Sequence, residues 1–109
     1  MIYIEDTKTL IEIKTILSFN AKAYFPSIYS QRAVDQLERI NFLLDKGYRA
    51  CYIIVSLNPK TKQLMINQKI EDYREAFKRC VEKGMIVKGV SLELIDGEPI
   101  ISSSLPVIP

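Results

Sequence analysis

The chain has 109 residues, 48% of them hydrophobic and 26% charged, the proportions of one small globular domain rather than of a disordered or collagen-like chain. Histidine is absent, which excludes Ser-His and Cys-His nucleophilic machinery and imidazole metal ligands. Lys and Arg number 15 against 13 Asp and Glu, with both signs spread through both halves, so no basic tail or acidic half is present.

The N-terminus, Met-Ile-Tyr-Ile-Glu-Asp, has no basic start followed by an apolar stretch and does not read as a secretory signal. The longest apolar run, Ala50 to Leu57, is far shorter than the roughly 20 residues of a membrane span. A cytoplasmic protein with no membrane partner is expected. In that reducing setting Cys51 and Cys80, each inside an apolar pattern, read as thiols rather than as a bridge.

In chain order, residues 2 to 5 and 10 to 17 are β-branched and apolar on both sides of Asp6-Thr7-Lys8-Thr9, which predicts an antiparallel hairpin. With Asp6 and Thr9 flanking the turn, Tyr3 falls opposite Glu12, Met1 opposite Lys14 and Glu5 opposite Leu10. Ser27 to Lys46 carries Val34, Leu37, Ile40 and Leu44 at helical spacing, with Ser27 or Ser30 as N-cap and Gly47 as the stop. Ala50 to Leu57 is short, continuous and β-rich, as in a strand covered on both faces at the centre of a sheet. Asn58-Pro59-Lys60 breaks it, and a polar loop leads to a second helix from about Ile70 to Lys83. Ile86 to Ile95 is a strand ending in the hairpin turn Asp96-Gly97. Strand, helix and strand from Ala50 to Val90 form a βαβ unit with parallel strands. Residues 102–109 read as a loose tail of a single domain that spans 1–109.

One arrangement has a chemical reading. Strand alternation puts Glu12 and Lys14 on the same face. In metal-dependent phosphodiester cleavage a carboxylate so placed holds Mg²⁺ while the lysine steadies the attacking water or the charge on phosphorus. The plainer reading is a half-exposed strand with its polar face outward. The hairpin register makes Glu5 a diagonal neighbour of Glu12, near enough to share a metal. Lys60, Lys62 and Lys69 cluster in one loop as a candidate contact for a nucleic-acid backbone. Tyr24, Phe25 and Tyr29 are a candidate stacking platform or an aromatic staple over the helix cap.

Glu12-Ile13-Lys14, Ala23-Tyr24-Phe25-Pro26, Ser30-Gln31-Arg32, Leu37 and Gly47-Tyr48-Arg49-Ala50 resemble, in order and spacing, the C-terminal domain of the sugar fermentation stimulation protein A family. Asn67, Tyr73, Ala76, Gly84 and Leu105-Pro106-Val107 extend the resemblance over nearly the whole chain from Leu10 onward. It implies an α/β fold with a restriction-endonuclease-like, PD-(D/E)XK core: a mixed sheet with an N-terminal hairpin, two helices and the βαβ unit. It implies DNA as partner, an association with sugar metabolism, Glu12 and Lys14 as catalytic residues, and Mg²⁺ or Mn²⁺ with no small-molecule cofactor. Arg32, on the family's helix motif, would contact a phosphate or pair with Glu12, and Asn67 would order the loop beside the site; the plainer readings are a solvated arginine and, favoured for Asn67, a turn-forming asparagine that bonds its own backbone.

The family's first metal-binding aspartate falls at about Met1, so that carboxylate is expected to be lost, with Glu5 the substitute. Phe-Pro-Asp reads Phe25-Pro26-Ser27, Arg-Gly reads Arg32-Ala33, a histidine position holds Gln36, and the aspartate two before Tyr73 is Glu71. The N-terminal OB-type domain is expected to be missing, which would leave the first strand as an open edge able to pair into a homodimer. Two readings follow: a DNA-binding protein of nuclease-like fold with a degenerate metal site, or a non-catalytic interaction or dimerisation module derived from that fold.

Overall fold

The computed structural model describes residues 1–109. Five strands form the main sheet: β1 (Ile2–Ile4), β2 (Thr9–Ile16), β4 (Arg49–Ser56), β6 (Ile86–Ile95) and β7 (Glu98–Leu105), in the spatial order β1-β2-β4-β6-β7. β2, β4 and β6 run parallel, and β1 and β7 close the two edges antiparallel. A second sheet of three parallel strands, β3 (Lys22–Phe25), β5 (Gln63–Ile66) and β8 (Val107–Ile108), has the order β3-β5-β8. The helices are α1 (Gln31–Asp45) and α2 (Glu71–Glu82), and neither is long and apolar enough to cross a membrane.

Local chemistry accounts for the element ends. The Ser30 side chain accepts from the Ala33 amide at 3.3 Å and starts α1, as a serine N-cap does. Asp96 and Gly97 both take positive φ, 52° and 80°, which the two-residue β6–β7 turn requires. The central strand is β4, and its parallel pairing with β6 across α2 is the expected βαβ unit.

Three expectations are corrected. The hairpin register is shifted by two: Tyr3 faces Leu10 and Ile4 faces Thr9. The cause is a 3-10 turn over Glu5–Thr7, in which the Lys8 amide donates to the Glu5 carbonyl at 3.2 Å, taking Glu5 and Asp6 out of the ladder. Residues 102–109 are ordered strand rather than a loose tail, because β7 runs to Leu105 and β8 then pairs with β5. The loops beside Pro26 and after Pro59 contain β3 and β5, four-residue strands that pair with each other and, through β5, with β8.

Alternation along β2 and β4 divides the main sheet into two unlike faces. Leu10, Tyr52 and Ile54 point to the face that α1, α2 and the small sheet cover, in one core with Leu37, Leu64, Tyr73 and Phe77. Burying such side chains contributes about 1.5–3 kcal/mol each. The opposite face carries Arg49, Ile11, Ile13, Cys51, Ile53, Val55 and Val90, of which only Val55 is buried, and the core side chains of both helices lie on the other side of the sheet.

Candidate functional site

Glu12 occupies a covered-face position on β2 and is 5% exposed. A carboxylate taken out of water costs several kcal/mol unless it is compensated. Compensation comes from Lys14, two residues on and on the same face, whose Nζ lies 3.3 Å from Glu12 Oε1. Lys14 Nζ also donates to Gln36 Oε1 of α1, so the ammonium is held between strand and helix. The Met1 ammonium stands 3.7 Å from Glu12 Oε2. Oε2 is nevertheless buried without a hydrogen-bond partner.

Beneath this pair, Tyr52, the register partner of Glu12, shares a 2.9 Å hydrogen bond between hydroxyls with Tyr73 of α2. Burial pushes both phenols well above the ordinary tyrosine range, and the Glu12 charge adds to the effect. Both stay neutral and serve as floor. Burial likewise raises the Cys80 thiol, to about 11, with Glu38 a second cause. Cys80 and Cys51 are both free.

A groove of about 570 Å³ opens at the Lys14 end of this centre. Its walls are the end of β2 and the segment after it, β3, and the approach to α1, with Lys14, Lys22, Tyr24, Ser18 and Ser30 among the side chains facing it. No Asp or Glu lines it. The arrangement therefore offers two ammonium groups, several hydroxyls and one half-exposed aromatic ring, the inventory that phosphates and bases recognise.

The predicted site residues come together only in part. Glu12 and Lys14 are paired as expected. Glu5 is not a neighbour of Glu12: it is exposed in the 3-10 turn. Arg32 is exposed on the first turn of α1 and makes no ion pair with Glu12; Gln36, one turn on, reaches into the centre instead. The Asn67 side chain is committed to structure, donating to the Pro26 carbonyl at 3.0 Å and accepting from the Lys69 amide at 3.0 Å. It thereby anchors the segment that forms the groove wall. Lys62 is exposed and outside the groove's walls, its amide donating to the Ala21 carbonyl at 2.7 Å, and Lys60 is exposed at the Asn58 turn. Of the aromatic trio, Tyr24 and Tyr29 are open, and Phe25 is in the core edge-to-face with Tyr73 at 5.6 Å. Lys22 was not singled out by sequence, although Lys22-Ala23-Tyr24-Phe25 alternates as a strand with one polar face.

A resident Mg²⁺ or Mn²⁺ does not fit this donor set. Glu12 is the one carboxylate at the centre, its Oε1 already faces Lys14, and nowhere in the chain do three or more His, Cys, Asp or Glu side chains form a metal-binding group. Such ions take several oxygen ligands.

No curated protein matches the chain. The structure of SfsA from Pyrococcus furiosus in complex with Ca²⁺ superimposes with a TM-score of 0.79 at 22% identity, covering 89% of this chain and 43% of that one. The chain thus spans less than half of that protein, and the likeness speaks for the fold. The model of the sugar fermentation stimulation protein RE domain matches residues 2–98, so the chain belongs to the SfsA family.

Proposed function

We propose that this domain binds nucleic acid through the groove beside Lys14, on a core of restriction-endonuclease-like type whose chemical centre is the Glu12–Lys14 pair. The observation that carries the reading is the groove itself, with Lys14 and Lys22 facing it and no carboxylate in its walls. Phosphates give up counterions to such ammonium groups, and exposed Tyr24 supplies a face for a base. With a net charge of only +2, the affinity is modest and falls as salt rises. The family supports DNA as the polymer. Binding, not hydrolysis, is what the donor set supports, and Mg²⁺ or Mn²⁺ enters as one arm of the test.

The test is fluorescence anisotropy of labelled DNA, in chelator and in Mn²⁺, across a salt series. Lys22→Ala is expected to flatten the slope of log affinity against log salt by about 1, as loss of one phosphate contact does. Unchanged affinity and slope in both Lys22→Ala and Lys14→Ala would overturn the reading. Nicking of supercoiled plasmid in Mn²⁺ that disappears in Lys14→Ala would add hydrolysis to it.

The open face of the main sheet favours a second reading, an interaction module, and that face has its own consequence.

A further inference from the structure

We propose that the uncovered face of the five-stranded sheet is the interface of a two-fold dimer of this chain, two copies stacking sheet on sheet. Ile2, Ile4, Ile13, Ile86, Leu94 and Ile101 are 42–74% exposed, and all project from this face or its β6–β7 extension. With the half-buried aliphatics between them they expose on the order of 800 Å², more than the roughly 300–600 Å² of the largest patch on a typical monomer. At 12.5 kDa the chain exposes 6899 Å², whereas a compact monomer of that mass exposes about 6200 Å². The excess is close to the ~800 Å² that each partner contributes to a standard interface.

A second copy is the occupant that matches this surface in size and kind. A twisted sheet face of branched aliphatics interdigitates with its own image at a spacing of about 10 Å and a crossing near −30°, and a two-fold axis makes the patch complementary to itself. Two cations lie on the face: Arg49, exposed at the start of β4 opposite Thr9, and Lys88 of β6, exposed where β7 has already ended opposite Gly89. Both stand at margins of the face, and their long stems can carry the charged groups to water. The edges are poorer candidates. β1 offers three residues, and β7 carries Pro99 and a bulge at Ser102, opposite Ser91/Leu92 of β6, both devices that discourage edge pairing.

Sedimentation equilibrium of the 109-residue chain tests this. The expected mass is twice 12.5 kDa at micromolar concentration. Ile13→Glu and Ile86→Glu, each counted twice by the symmetry, are expected to raise the dissociation constant about a hundredfold or more. Their far-UV circular dichroism should stay native, since both side chains are about half exposed. Leu94→Glu, at 74% exposure on the protruding hairpin, serves if either variant fails to fold. Phe42→Ser on the outer side of α1 should leave the dimer intact. A wild-type chain that stays monomeric at high concentration, or a dimer indifferent to these glutamates, overturns the proposal.

Discussion

At Gly89 the two sheets approach each other closely. A Cβ there would lie 2.8 Å from Leu64 Cδ1, 2.9 Å from the Leu105 carbonyl oxygen and 2.9 Å from Val107 Cγ2. The two side chains can rotate aside. The carbonyl cannot, because Leu105 is the ladder partner of Gly89 on β7. Gly89→Ala therefore forces β6 and β7 apart or pushes β5 and β8 off the main sheet. Overpacking of this kind costs about 1–3 kcal/mol, and the stiffer unfolded chain returns about 0.4–1 kcal/mol. The net loss is about 1–2 kcal/mol, or roughly 5–15 °C in Tm for a domain of this size. Thermal melts by circular dichroism read the total. Amide exchange reads the place: the Leu64 amide, which donates to the Pro106 carbonyl at 2.9 Å, should exchange faster while the α1 amides do not change. A variant with unchanged or raised Tm would refute the reasoning, since then the close approach is not sterically limiting.

Lys14→Met leaves the buried Glu12 carboxylate without its nearest cation and should cost about 3 kcal/mol in urea unfolding. Adding Glu12→Gln should recover part of that loss, because the uncompensated charge is removed with it. Stability should hold up to about pH 9 and fall above it: the folded state keeps the Cys80 proton to about 11 against an ordinary 9.0, and Tyr52 and Tyr73 keep theirs above the ordinary 10.0. The unfolded chain loses these protons first, so each group contributes a slope of up to about 1.4 kcal/mol per pH unit in its window, checked by denaturant midpoints at pH 7, 9 and 10.5. Ser30→Ala should cost about 1 kcal/mol through loss of the α1 cap. Asn67→Ala should cost about 1–2 kcal/mol through its two side-chain hydrogen bonds and should loosen the Pro26 segment, seen as faster amide exchange there.

Long periodic segments are legible in the sequence. α1 announced itself through Val34, Leu37 and Ile40, β4 through an unbroken β-rich run, and the β6–β7 turn through Asp96-Gly97. β3 and β5 were not readable because four residues hold too little periodicity, and each is a strand only by virtue of a partner about forty residues away. The Glu12–Lys14 pair followed from alternation alone. Glu5 was misplaced because a register depends on turn geometry, and one 3-10 hydrogen bond moves it by two. Gln36 and Lys22 escaped because their roles come from packing between elements, which no local spacing encodes. The division of the sheet into a covered and an open face was present in the alternation of β2, but its meaning depends on all the other elements choosing the same side.

The ladder order also sets a timetable. Leu10 waits for Ala50, Ala23 for Leu64 and Leu64 for Val107, so each of these parallel pairings closes a loop of about forty residues before it gains anything, which places folding on the millisecond-to-second side. On the ribosome, β5 emerges well before β8 and has no partner on that flank until Val107 and Ile108 are made. During that interval the Leu64–Met65 edge of β5 is an unpaired strand edge, the kind of surface that invites pairing with another chain.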